Sequence, residues 1–123
     1  MSKNLLGWTD IPVTDLDRAV AFYSKVLAEP VTLQEMGEYK FGLLPHSADG
    51  VSGCLANGDD NKPSRTGPLI YLSVNGRLDD AVKVVGENGG EVLKPKHQIG
   101  PYGYRAVVVD SEGNRIALHS ETA

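Results

Sequence analysis

The sequence predicts an α+β fold built from two βαβββ modules, and three observations carry that prediction. Two amphipathic helical patterns each follow one strand-like segment and precede three more. A stretch rich in Gly, Pro, Asn and Asp, "NGDDNKPSRTG" at 57–67, separates the two sets and reads as a linker. The halves also overlay, "IPVTDLDRAV" (11–20) on "LSVNGRLDDAV" (72–82), with Ala19 matching Ala81 at an offset of about half the chain.

Each element has its own signal. The opening strand alternates Trp8, Asp10 and Pro12 with Thr9, Ile11 and Val13. The first helix places Leu16, Ala19, Val20, Tyr23, Val26 and Leu27 on one face. Thr14, three residues before Asp17, is its expected N-cap, and Pro30 stops it shortly after residue 28. Strands are expected at 31–36, 38–44 and 51–56, with "HSADG" at 46–50 as a turn. After the linker come a strand at 69–74, then a helix with Leu78, Ala81, Val82 and Val85 on one face, ended by "ENGG". Strands near 91–94, 104–109 and 115–119 complete the second unit, and "KPKHQIGPYGY" (94–104) reads as a loop. The expected division is one domain, with module 1 at about 5–57, a linker at 58–67 and module 2 at 68–121.

Composition narrows the functional classes. A chain of 123 residues is long enough to bury roughly two thirds of its unfolded surface in one core. Its 12 basic and 16 acidic residues give a net charge of −4 without a basic cluster, so nucleic acid is not an expected partner. Cys54 stands alone and forms no internal disulfide, and no apolar run approaches the ~20 residues of a membrane span. With no leader-like start either, the expected setting is the cytoplasm.

Period-two alternation sorts the side chains by face. Ile11 and Val13, Ile70, Leu72 and Val74, and Ile116 and Leu118 belong against the helices. Trp8, Asp10, Leu69, Tyr71, Ser73, Ala117 and His119 are left for the opposite face. Aromatic walls with a few polar groups among small residues are what a ligand cavity requires.

At this point the chain resembles the vicinal oxygen chelate superfamily of glyoxalases, bleomycin resistance proteins and extradiol dioxygenases. The matching stretches are "IPVTDLDRAVAFYSKVL", "ENGGEVL" and "GYRAVVVDSEGNRIALHS", and the similarity covers essentially the whole chain. The resemblance implies paired βαβββ modules whose mixed sheet curls into a U around a cavity, in a homodimer that in some members exchanges modules. Metal-dependent members look as though they place His, Glu or Gln at four strand positions around a divalent ion, which acts as a Lewis acid. Those positions here are Trp8, Cys54, Leu69 and Ala117, three of which have no metal-binding atom, so neither metal nor other cofactor is expected.

The candidate site follows. Trp8 is either a core aromatic or a stacking wall for a planar ligand. Asp10 must be solvated, paired or neutralised, and His119 is its expected partner, either in proton transfer or as a structural link between modules. Tyr71 either donates a phenolic hydrogen bond to the ligand or fills the strand. Tyr102 sits in the 94–104 loop, which either covers the cavity mouth or merely connects strands. The expected assignment is His119, Asp10 and Tyr71 as catalytic groups, with Trp8, Cys54, Leu69, Tyr102 and Ala117 lining the ligand, a small apolar or aromatic molecule. The alternatives are a glyoxalase-type lyase or isomerase whose metal is held elsewhere, and a non-catalytic interaction or regulatory module.

Overall fold

A computed structural model describes residues 5–48 and 50–123; Asp49, in the expected 46–50 turn, lies outside them. The first unit contains β1 (Thr9–Pro12), α1 (Leu16–Leu27), β2 (Thr32–Met36), β3 (Tyr39–Leu43) and β4 (Gly53–Ala56). The second contains β5 (Ile70–Ser73), α2 (Leu78–Glu87), β6 (Glu91–Gln98), β7 (Tyr104–Val109) and β8 (Arg115–Ser120), with a 3-10 turn at Gly100–Tyr102. They form two four-stranded mixed sheets, β1-β4-β3-β2 and β5-β8-β7-β6. The expected βαβββ duplication is therefore present.

In each sheet the first strand pairs in parallel with the last of its own unit, Asp10 opposite Cys54 and Tyr71 opposite Ala117. A parallel pair needs a long crossover, and the helix with its two following strands supplies it. The helices lie on one face of the sheets, where Ile11, Phe22, Tyr23, Val26, Leu55, Leu118 and Ile116 are essentially inaccessible. The matched pair Ala19 and Ala81 is fully buried in the same core. At about 25 cal/mol per Å² of apolar surface removed from water, this face is the main source of stability.

Three local expectations are corrected. The cap of α1 is Asp15, whose carboxylate accepts from the Arg18 amide at 3.1 Å; Thr14 instead donates its amide and hydroxyl to Glu112. The helix ends because Ala28 turns left-handed (φ 57°) ahead of Pro30. Strand β6 continues to Gln98, through Pro95, where a loop is expected from residue 94. It is an edge strand, so the missing proline N–H removes no ladder bond that the sheet needs, and bulges between Val92 and His97 absorb the irregularity.

The segment "DSEGN" (110–114) ties the two units together. Glu112, its side chain fully shielded, accepts from the Thr14 amide (2.9 Å), the Asp15 amide (2.8 Å) and Arg18 Nε (2.7 Å). Asp110 accepts from the Tyr23 hydroxyl at 2.5 Å, and the Asn114 amide group donates to the Pro12 carbonyl at 2.7 Å. All three buried polar side chains of this turn thus meet β1 or α1. Burial alone disfavours the Glu112 carboxylate, but Arg18, the Asp15 and Thr14 amides and the Ser111 hydroxyl outweigh it and hold its pKa at about 2.

Candidate functional site

The face of each sheet away from the helices carries the candidate residues. β1 and β5 are each an edge strand of their sheet, and residues of both line one cavity. It measures about 1060 Å³ and is lined by Trp8, Asp10, Leu69, Tyr71 and Ser73, with Val51 to Gly53 and Asn114 to Ile116 around it. An open depression of about 570 Å³ adjoins it, lined by Tyr71, Ile99, Tyr102, Arg105 and His119. Tyr71 is shared by both.

On the first wall, Asp10 accepts a hydrogen bond from the Cys54 thiol at 3.2 Å. Burial pushes the Cys54 pKa up; a hydrogen bond from Trp8 opposes this, whereas the bond to Asp10 and its charge add to it. The thiol is therefore held protonated as a donor. Gly53 makes this contact possible, since a Cβ at that position would collide with the Thr9 carbonyl. Trp8 is 49% exposed and lines the cavity.

On the second wall, register places Tyr71 opposite Ala117, Ser73 opposite His119, and His119 opposite Arg105. His119 Nε2–H donates to the Tyr102 carbonyl at 2.6 Å, which leaves Nδ1 of the neutral ring as its acceptor. The Tyr71 and His119 rings meet edge-on, 6.3 Å between centroids. Arg105 donates from Nη1 to the Tyr71 hydroxyl at 2.5 Å and from Nε to His97 Nε2 at 2.9 Å. His97 accepts there because its Nδ1–H is committed to the Pro95 carbonyl at 2.9 Å.

The expected residues are thus only partly brought together. Trp8, Asp10, Leu69 and Tyr71 share one cavity, Tyr71, Tyr102 and His119 the other, and Cys54 and Ala117 stand on the same strand faces. Asp10 and His119 do not bond to each other. Strand β8 lies beside β5 and β7 in its own unit's sheet, not beside β1, and each residue has a different partner. Arg105 is the residue that the sequence reading omits. The signal was present, a charged side chain two residues before Val107 on the inward-alternating face of β7.

The fit of a divalent ion is decided by donor chemistry. Of Trp8, Cys54, Leu69 and Ala117, only Cys54 has a ligating atom, and one thiol falls short of the three protein ligands that even a catalytic zinc requires. Among the described residues no three His, Cys, Asp or Glu side chains converge as a metal cluster would require. These residues do not fit the ion.

The model of the Glyoxalase/Bleomycin resistance protein/Dioxygenase superfamily matches residues 5–118. The chain belongs to this superfamily. Solved structures agree in fold. A glyoxalase/bleomycin resistance protein from Albidiferax ferrireducens T118 has a TM-score of 0.74 at 16% identity, with 95% of this chain and 98% of that one covered. A glyoxalase-related enzyme from Fulvimarina pelagi gives 0.69 at 13% identity, covering 96% and 88%. The fosfomycin resistance protein FosX from Listeria monocytogenes gives 0.66 at 21% identity, covering 98% and 94%. Comparison with curated protein sequences finds no significant match. Membership of the superfamily supports a small-molecule-binding or small-molecule-modifying role. Among the described residues no helix is long and apolar enough to cross a membrane.

Proposed function

We propose that the protein binds an apolar or aromatic small molecule between its two inner sheet faces, and transforms it in a modest acid-base step that uses no metal at the superfamily's four strand positions. The supporting observation is the continuous lining from Trp8 and Asp10, across Leu69 and Tyr71, to His119 and Tyr102. It offers aromatic walls and few polar groups, the content of a small-molecule cavity.

In this reading Trp8 stacks on the ligand body beside Leu69, while Ala117 and Cys54 are buried behind the cavity lining. His119 exchanges a proton through Nδ1, with its ring held by the Tyr102 carbonyl rather than by Asp10. Tyr71 polarises a carbonyl or phenol with its hydroxyl. Asp10 is the acid of the other wall. In this reading the protein acts as a cytoplasmic homodimer, a pairing suggested by its membership of the superfamily.

Native mass spectrometry of protein purified from its own cells should show a bound small molecule, which Trp8→Ala releases. With that molecule in hand, His119→Ala and Asp10→Ala should each lower affinity or turnover; no change in either variant refutes the assignment. A stoichiometric divalent ion that resists dialysis would instead favour a metal-dependent lyase or isomerase.

A further inference from the structure

Among the described residues Arg105 is the one Lys or Arg on the wall of the smaller depression, and its hydrogen bonding is incomplete. The guanidinium carries five N–H donors, of which Nε is taken by His97 and one on Nη1 by Tyr71. Among the described residues the other three meet no protein acceptor. Arg18, Arg65 and Arg77 each pair with a carboxylate, whereas Arg105, like Arg115, forms none of these ion pairs. Its two partners are neutral groups that orient it without cancelling its charge. The Nε bond to His97, itself tied to the Pro95 carbonyl, and the Tyr71 bond hold the plane of the fork. In a chain of net charge −4, an oriented and uncompensated arginine in a concave site calls for an anion from outside.

The surroundings specify the anion further. Tyr71 accepts from Arg105, so its own O–H is free to donate to the group that Arg105 holds. The remaining lining, Ile99 and Tyr102, is apolar or aromatic, and the Nε2–H of His119 is already spent on the Tyr102 carbonyl. One cation and one neutral donor balance a single negative charge; a doubly charged group would remain uncompensated. A planar carboxylate matches the arginine fork in two parallel hydrogen bonds.

We infer that Arg105 and Tyr71 form an anion subsite for a monocarboxylate joined to a planar apolar body that lies toward Tyr102 and Ile99. The inference rests on the reading of the inner faces as the ligand site and names the ligand's chemical class.

Benzoate, anionic at pH 7, and its neutral isostere benzamide are the probes, titrated into the full chain by two-dimensional NMR and calorimetry. Benzoate should bind at least tenfold more tightly than benzamide and shift the amide signals of Tyr71, Arg105 and His119. Arg105→Gln should abolish that preference by weakening benzoate at least tenfold while leaving benzamide unchanged. Tyr71→Phe should weaken benzoate several-fold. If Arg105→Gln does not fold, as judged by its thermal transition, Arg105→Lys replaces it; it keeps the charge but loses the fork, and should lose at least threefold in benzoate affinity. Equal binding of the two probes, or a preference indifferent to both Arg105 variants, overturns the anion subsite and leaves the cavity reading standing. Inorganic phosphate competing as well as benzoate overturns the carboxylate assignment. Failure of the wild type to bind either probe overturns the inference, whereas an endogenous ligand displaced by Trp8→Ala would still uphold the cavity reading.

Discussion

Replacing Glu112 with Gln tests whether the "DSEGN" turn is what fastens the two units. The carboxyl pKa is lowered from 4.5 to about 2 in the fold, against the burial that works to raise it. At about 1.4 kcal/mol per tenfold difference in proton affinity, that span corresponds to about 3 kcal/mol. Arg18 is half exposed, so solvent screens its share, and about 2 to 3 kcal/mol is expected. The sign follows from proton counting. Between pH 4.5 and 2 the unfolded chain binds the proton that the folded chain refuses, so the stabilisation is complete above 4.5 and is lost as the pH falls toward 2. Urea unfolding of wild type and Glu112→Gln at pH 7 should differ by that amount, and the gap should close between pH 4.5 and 2. A gap below about 0.5 kcal/mol at pH 7, or one independent of pH, would refute the role given to this carboxylate.

Other outcomes follow from the same contacts. Tyr23→Phe removes a buried donor to Asp110 and should cost about 1–3 kcal/mol in urea unfolding; an unchanged midpoint would dismiss that bond. Ala28→Gly relieves a left-handed backbone and should raise stability by about 0.5–1 kcal/mol, seen as a higher thermal midpoint. Gly53→Ala should separate β1 from β4 and lower the thermal midpoint, because the added methyl meets the Thr9 carbonyl rather than a flexible side chain. Cys54 should react with iodoacetamide at pH 8 more slowly than a free thiol, and Asp10→Asn should speed it, since burial and the Asp10 charge both oppose the thiolate; equal rates would contradict the assigned contact.

The parts of the fold readable from the chain were those set by local periodicity. Alternation placed Ile11, Val13, Ile116 and Leu118 against the helices and Trp8, Tyr71 and His119 away from them, because side chains on a strand switch faces at every residue whatever the strand pairs with. Ala19 and Ala81, matched by repeat alone, are both fully buried. The errors arose where tertiary context chose among local options. Thr14 and Asp15 are both competent caps; Glu112, nearly a hundred residues away, engages Thr14 and leaves the cap to Asp15. Pro95 argues against a strand, yet an edge position tolerates it.

The sequence by itself determined the duplicated architecture, the faces of β1, β5 and β8 and the poverty of metal donors at Trp8, Cys54, Leu69 and Ala117, since these depend on residue identity and spacing. Only the tertiary structure decided which polar groups meet. It assigned Asp10 to Cys54, His119 to the Tyr102 carbonyl and Arg105 to Tyr71, because hydrogen-bond partners are set by strand order and register, which periodicity does not encode. It also showed the polar residues of "DSEGN" engaged with β1 and α1 rather than with the cavity, a use that no local pattern distinguishes from a ligand-binding turn.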